Sequence, residues 1–383
     1  MLEAEKEIAT KEIQRTIKLS VICARPLFIN FMSDEDSGVR NTLYFLIFIA
    51  HVLSVIASTS AIVYKENNSN FFIVGLSKTI MLWYKKDVFK QLLRDMMEIW
   101  PVPEENEEVT EIKRKTWTTL RFNQVFKAWK VEGAAMFYHL LPIVIYIFKS
   151  IQGKPYHLSH SWRYMYPFES SGPHFLLLSY ILAVYTVYGM LSSDMLFMAM
   201  SRNIALLLKV LKIKIRKLAS EESTQPIDCY AEIVKVVKVH QQLISNEIEE
   251  AFTVINLFNV IISSINICCL LEPWLEPSSK CYFLAALSQM GIICWYADDM
   301  YRTSQNVSDA AYESGWYKAD ARSRRALLLL IQRSHKPLVF TALKFGRMTL
   351  MTYTSVSLFK TSWCPRLRPR IKKNITHENI YEQ

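Results

Sequence analysis

Long stretches without charged side chains constrain this chain more than any other feature of its sequence. Three of them carry at most one charge: Asn41–Val63, Phe175–Met200, whose single charge is Asp194, and Ala251–Leu271. Each is long enough to cross a hydrocarbon core, which needs about 20 apolar residues. They lack the polar face that a helix on the surface of a water-soluble domain requires, so we interpret them as membrane spans.

Four weaker segments complete the pattern. They are Phe71–Tyr84, which contains Lys78, then Ala134–Phe148, Cys281–Ala297, and Pro337–Trp363, of which only the second half looks membrane-embedded. Hydrophobic residues make up 51% of the 383 residues, and glycine is scarce. The sequence therefore predicts an all-α, polytopic membrane protein with seven transmembrane helices.

The distribution of basic residues predicts the orientation. Thirty Lys and Arg residues fall in the N-terminal segment and the loops on the same side, against four in the loops on the other side. Basic loops stay in the cytoplasm, so we expect a cytoplasmic N-terminus. Asn67, in the sequence Asn-Asn-Ser, then lies in the first outside loop and is a candidate for glycosylation.

Several functional classes lack support in the sequence. The net charge of +10 is typical of cytoplasmic loops in a multi-span protein, so we expect no nucleic-acid partner. The 7 cysteines show no metal-type spacing, and the outside-loop histidines His157, His160 and His174 are poorly spaced for a metal. No phosphate-binding, nucleophile or zinc-protease motif is present. We therefore expect no enzyme activity, no cofactor and no metal.

The last third of the chain carries a family resemblance. WYADDMYRTSQNVSDAAYESGWYKADARSRRALLLLIQRSHKPLVFTALKF (295–345) resembles the C-terminal signature of insect odorant receptors, and FKTSW (359–363) resembles their late Lys-Thr-Ser-aromatic element. YPFESSGPHFLLLSYILAVY (166–185) is similar to their second outside loop and fourth span, and VHQQLISNEIEEAFTVINLFNVI (239–261) to the start of their fifth. The similarity covers about residues 160–363, and the first 160 residues agree in layout only.

The resemblance implies a ligand-gated cation channel subunit in the plasma membrane of sensory neuron dendrites. Such subunits are similar in having seven helices and an internal N-terminus. They form tetramers, generally with a shared olfactory co-receptor, and meet at a cytoplasmic anchor built from helices four to seven. Their seventh helix is broken, and its second part lines the pore. Volatile odorants bind in the outer halves of helices two, three, four and six.

An odorant requires an apolar, aromatic-lined cavity with few polar groups. In the outer halves of the four helices that the resemblance implicates, the candidates are Phe72, Val74, Ser77, His139, Ile143, Tyr146, Ile147, Leu178, Tyr180, Tyr185, Tyr282, Leu284 and Ser288. Pro142 belongs to the same stripe of the third helix. Ordinary bundle packing produces the same helical spacing, so that alternative stays open for each residue.

Hydroxyl side chains are concentrated in Met348–Phe359, at the predicted pore helix. Its candidates are Thr349, Thr352, Ser355 and Phe359. Hydroxyls can line a hydrated path, but they can also bond backbone carbonyls of their own helix or pack between helices. Pro337 is expected to break the segment before it.

Two acidic features admit structural interpretations. Asp194 lies inside a span and should face the protein and pair with a cation, and Arg202 follows two turns later. Glu247, Glu249 and Glu250 precede the fifth span and are expected on a solvated or inter-subunit face.

The chain divides into four predicted parts. They are a cytoplasmic segment 1–40, helices one to four with the odorant pocket in 41–200, anchor helices and spans five to seven in 201–363, and an atypical basic tail 364–383. Related receptors continue the pore helix past the position of Trp363, whereas Cys364-Pro365 ends it here and basic residues follow. We hypothesise that this tail comes from a splice or gene-model read-through.

Three functions are compatible with a multi-span chain. The first is an odorant-gated cation channel subunit, with a gustatory-type channel as a close variant. The second is a G-protein-coupled chemoreceptor, which would place the N-terminus outside. The third is a transporter, which should show repeated halves, and no such repeat is seen.

Overall fold

In the computed structural model, most of the described residues are helical. The structure describes residues 3–27, 70–101, 107–153, 173–220, 226–243, 246–270, 277–344 and 346–355, with isolated positions between 29 and 52. Within the helices, the side chains of 70–74, 131–132, 134–143, 173–180, 219–220, 226–229, 246–247, 262–270 and 277–286 are outside this description.

The described elements are helical with one short hairpin. In chain order they are α1 (Glu3–Ala24), a 3₁₀ turn (Arg25–Leu27), α2 (Asn70–Tyr84), α3 (Lys86–Glu98), α4 (Glu107–Ile151), α5 (Pro173–Ser220), α6 (Pro226–Leu243), α7 (Asn246–Leu270), α8 (Pro277–Glu313), a 3₁₀ turn (Trp316–Lys318), α9 (Ala321–Ser334), β1 (Thr341–Ala342) and β2 (Gly346–Arg347). Residues 350–355 are helical again.

Five of the predicted spans correspond to these helices. The weak second span matches α2 closely, and the third, fourth, fifth and sixth lie within α4, α5, α7 and α8, apart from Leu271, one residue past α7. Most of the predicted first span lies outside the described residues. Where the chain is described, one stretch, Ile181–Leu218, is both apolar and long enough to cross a membrane by length and composition.

Helix α5 is the centre of the bundle and contacts α1, α2, α4, α6 and α8. On the N-terminal helix α1, Ala9, Ile13 and Ile17 are buried at helical spacing. The Ser20 hydroxyl of α1 donates to the Ser192 carbonyl of α5 at 2.9 Å. The predicted cytoplasmic segment is therefore docked along the central helix over its helical part.

Phenylalanine rings pack where α3, α5 and α7 meet. The Phe252 ring lies 5.0 Å from Phe89 and 5.1 Å from Phe197, between ring centroids. Phe340, just before β1, completes the cluster at 4.8 Å from Phe197. Aromatic rings at these separations pack favourably, so the cluster holds the start of the hairpin against the bundle.

The hairpin explains how the chain turns before its last helix. β1 and β2 pair antiparallel, with Thr341 opposite Arg347, and the turn places Leu343 and Lys344 at φ of 47° and 62°. The Thr253 hydroxyl on α7 accepts a hydrogen bond from the Leu343 amide at 2.9 Å, which stabilises this left-handed turn. The predicted break at Pro337 is thus an extended segment and a hairpin.

His240 is buried between α6 and α9. It is 1% exposed, and its ring lies 3.5 Å from the Ser334 hydroxyl. Burial, with a smaller effect from the Arg333 charge, lowers the pKa of His240 from 6.5 to about 4. The ring is therefore neutral in the folded state at neutral pH.

We expect the packing of α6 on α9 to weaken as pH falls. The unfolded state binds the His240 proton first, because its pKa stays near 6.5 while the folded value is about 4. The contribution of neutral His240 to the free energy of unfolding is fully present above about pH 7. It should fall by about 2 kcal/mol by pH 5. Amide hydrogen exchange of α6 and α9 at pH 7 and at pH 5 measures this loss of stability.

Two variants separate this effect from general acid sensitivity. His240→Phe should remove the added exchange at low pH, whereas replacing the exposed His335 by Gln should leave it in place. Equal pH dependence in His240→Phe and the wild type would show that another group is responsible.

Candidate functional site

One buried carboxylate joins four helices at the centre of the bundle. Asp194 on α5 accepts hydrogen bonds from Lys78 of α2 and Lys127 of α4, each at 2.7 Å, and from Gln289 of α8 at 2.8 Å. Lys78 is 0% exposed, Asp194 1% and Lys127 2%. We call these four residues the Asp194 cluster.

The cluster holds two ammonium groups for one carboxylate. Buried charges are stable only when they are paired and hydrogen-bonded, and each lysine meets a different oxygen of Asp194. An ionised residue inside a membrane protein normally faces the interior and finds a partner there. The prediction that Asp194 takes part in a structural ion pair is confirmed.

The expected partner was wrong. Arg202 pairs instead with Asp299 of α8 at 2.5 Å, and its guanidinium lies 5.9 Å from the Trp295 ring. Sequence proximity favoured Arg202, but two helical turns along α5 it faces a different part of α8. Lys78 and Lys127 were missed as partners, although both are charges in or beside apolar segments.

Two glycines bring α2 and α5 together beside the Asp194 cluster. A Cβ atom on Gly189 would overlap the Thr79 hydroxyl and lie 3.0 Å from the Gly75 carbonyl oxygen. A Cβ atom on Gly75 would in turn overlap Thr186. Small residues allow this close backbone approach between membrane helices.

The pocket candidates lie on the four helices that the cluster joins. Ser77 and Ser288 are half-buried and directly precede Lys78 and Gln289, and Tyr185 is buried on α5. Tyr146 and Ile147 of α4 are exposed, so we do not include them in the pocket proposed below. For the rest, the helix is placed and the side chain is outside the described residues: Phe72, Val74, His139, Ile143, Leu178, Tyr180, Tyr282 and Leu284.

The described pore candidates use their hydroxyls locally. The Thr349 hydroxyl accepts from the Thr352 amide at 3.3 Å, and the Thr352 hydroxyl donates to the Arg347 carbonyl at 2.6 Å. Ser355 is exposed, and Phe359 lies outside the described residues, as do Asn67 and the tail 364–383. Pore lining stays a prediction.

Glu249 is half-buried and has a partner within the chain, while its expected place on a solvated or inter-subunit face stays a prediction. Its carboxylate accepts a hydrogen bond from the Thr341 hydroxyl of β1 at 2.6 Å. The contact fixes the hairpin to α7, together with the bond from Leu343 to Thr253. Glu250 is exposed, and the Glu247 side chain is outside the described part.

A family model described as 7tm Odorant receptor matches residues 69–359, which include every helix from α2 to α9. The chain belongs to the 7tm odorant receptor family. It is therefore a membrane protein of a receptor family. The predicted seven-span, all-α fold is confirmed by this membership and by the structural likeness below.

Relatives and solved structures agree with this odorant receptor assignment. Odorant receptor 85c of Drosophila melanogaster is 24% identical over 307 residues, which cover 75% of this chain and 77% of the relative. Odorant receptor 85b of the same species is 23% identical over 372 residues, which cover 85% of this chain and 91% of the relative.

The insect olfactory receptor OR5 from Machilis hrabei, solved in complex with eugenol, superposes with a TM-score of 0.73. Its identity is 15%, and the match covers 95% of this chain and 99% of that one. A second structure of the same receptor has a TM-score of 0.74 over 94% of this chain and 97% of that one. At this identity the likeness shows the fold.

Proposed function

We propose that this odorant receptor is the tuning subunit of an odorant-gated, non-selective cation channel. It binds volatile molecules within the bundle and works with a co-receptor subunit in the plasma membrane of olfactory neurons. One observation carries the proposal. The Asp194 cluster joins α2, α4, α5 and α8, the same four helices that hold the pocket candidates.

This arrangement gives the pocket a rigid inner end. Ser77 and Ser288 directly precede cluster residues in their helices, so a ligand that contacts them binds within one helical turn of the cluster. Tyr185 on α5 supplies a buried aromatic ring in the same bundle. The OR5 receptor of the same fold was solved with eugenol, which supports small-molecule binding here.

Calcium imaging of cells that carry this chain, a co-receptor or both tests the proposal. A panel of volatiles should evoke signals only in cells with both subunits. In Tyr185→Leu the concentration for half-maximal response should rise about tenfold, since a lost aromatic contact costs about 1.4 kcal/mol. Tyr146→Leu, at an exposed position of α4 that the proposed pocket does not include, should respond as the wild type does.

Two results would contradict the proposal. Signals from this chain without a co-receptor would remove the tuning-subunit role. An unchanged response in Tyr185→Leu, at equal surface expression, would place the ligand away from α5.

A further inference from the structure

Helix α4 is amphipathic in the opposite sense to a helix in water. Most of its fully buried residues are polar: Lys113, Thr116, Gln124 and Lys127, with Leu120 as the apolar exception. Its outward residues are aromatic, with Phe122 67% exposed, Phe126 45% and Trp129 74%. A helix in contact with water places these classes the other way round. The surroundings of this face are therefore apolar.

Apolar residues are exposed on the same face of the helix again after residues 134–143, whose side chains are outside the described part. Val144, Ile147 and Ile151 are exposed on the side of the helix that carries Phe122, by the periodicity of 3.6 residues per turn. From Phe122 to Ile151 the strip is about 44 Å long at about 1.5 Å per residue. That length matches the roughly 40–45 Å of a bilayer including its headgroups.

Hydropathy alone starts the third span at Ala134, and the contacts of α4 favour an earlier start. The predicted span Ala134–Phe148 begins after Lys127 and Lys130, which interrupt the apolar run. Lys127 faces the Asp194 carboxylate, so its charge is satisfied inside the protein and does not limit the span. Lys130 is half-buried, and a long lysine side chain can reach the headgroup region with its ammonium group. The membrane-embedded part of α4 can therefore begin near Phe122.

Exposed aromatic rings on two further helices lie at the depth of Phe122. The Asn123 side chain of α4 donates to the Tyr296 hydroxyl of α8 at 3.0 Å, which brings Phe122 and the exposed Trp295 to the same level. On α2, Tyr84 follows the cluster residue Lys78 by six residues, or about 9 Å. We name these exposed rings the inner aromatic belt: Trp83, Tyr84, Phe122, Phe126, Trp129 and Trp295.

Basic residues follow the belt on the side that the charge count assigns to the cytoplasm. Arg121 is exposed beside Phe122, and Lys85 and Lys86 follow Tyr84, with the Lys85 ammonium 5.9 Å from the Tyr84 ring. Tyr and Trp favour the headgroup region, and the cytoplasmic leaflet is rich in anionic lipids that attract Lys and Arg.

We propose that the inner aromatic belt lies in the headgroup region of the inner leaflet, where Arg121 and Lys86 bind anionic phospholipids. The third span thus begins near Phe122, and the Asp194 cluster lies at the same depth as the deeper belt residues Phe126 and Trp129, which flank Lys127 on α4. The inference concerns the membrane surface of the receptor and holds whether or not the chain gates a channel.

Photolabelling of the full chain in phosphatidylcholine nanodiscs tests the position of the belt. The probe is phosphatidylcholine with a diazirine on the acyl chain near the glycerol, and mass spectrometry locates the adducts. We expect adducts on residues 121–130 as well as on 144–151. Labelling of 144–151 alone would overturn the belt. A receptor–receptor cross-link from a photoreactive residue at Phe126 would also overturn it, because a second subunit would then cover this face.

Thermal unfolding with and without phosphatidylserine tests the headgroup contact. Phosphatidylserine should raise the unfolding midpoint of the wild type, and the Arg121→Gln, Lys86→Gln double variant should lose at least half of that rise. Arg324→Gln, at an exposed position on α9, should keep it. Equal midpoints in both lipids for the wild type, or an undiminished rise in the double variant, would overturn the contact.

Discussion

Replacing Asp194 by asparagine is expected to prevent stable folding of the receptor. The change keeps the shape of the side chain but removes the carboxylate shared by Lys78 and Lys127. Removing one partner of a buried ion pair costs roughly 3–5 kcal/mol, because the remaining charge stays in an apolar interior. Here two ammonium groups lose their partner. We expect little receptor at the cell surface and a much lower unfolding midpoint in detergent.

The stoichiometry of the cluster supplies the matched comparison. Lys127→Met leaves Asp194 and Lys78 as a one-to-one pair, so it should cost about 1 kcal/mol or less. Arg216→Gln breaks the exposed pair with Glu313 and should also cost at most about 1 kcal/mol. If Lys127→Met lowered the unfolding free energy as much as Asp194→Asn, the fold would require both lysines, and a one-to-one pair of Asp194 and Lys78 would not be sufficient.

Replacing Gly189 by alanine is expected to destabilise the contact between α2 and α5. The added Cβ atom meets the Thr79 hydroxyl and the Gly75 carbonyl oxygen, so the helices must separate. Overpacking of this kind costs about 1–3 kcal/mol. Because Lys78 and Asp194 lie on the same two helices, odorant responses should fall as well. Unfolding midpoints and calcium imaging measure the two effects.

Two further variants show that the effect comes from this contact. Thr79→Ala removes the overlapping hydroxyl and should restore part of the lost stability, while the Gly75 backbone oxygen remains close. Gly133→Ala on α4 meets no atom within 4 Å and should stabilise the helix by about 0.5–1 kcal/mol. Equal loss in Gly133→Ala and Gly189→Ala would contradict close packing as the cause.

Most helices of the fold could be predicted from local sequence. The second, third, fourth, fifth and sixth spans correspond to helices because an apolar run of membrane length determines its own secondary structure. The family was also readable, since its signature lies within one continuous stretch, 295–345. Helix α1 was missed because its buried residues are spaced among charged ones in a mixed segment.

The candidate site was predicted less completely. Asp194 was identified as an acid that needs a cation, but its partners lie 116 and 67 residues away along the chain. Many Lys and Arg residues lie at such separations, and nothing in the sequence distinguishes among them. The nearest cation along the helix, Arg202, was therefore the expected partner. The pocket itself stays a prediction. Of its candidates on α4, Ile147 lies on the outward face opposite Lys127, and Tyr146 is partly exposed.

The sequence by itself determined the class of protein, the helices of five spans and the family. These properties depend on apolar run length, on the count of basic residues in each loop and on a contiguous motif, all of which are local. Only the tertiary structure decided which lysines neutralise Asp194, which face of α4 turns inward and how the hairpin of residues 341–347 rests on α7. Each of these features depends on groups that come from distant helices. Those groups pair only when the folded bundle brings them together and excludes water.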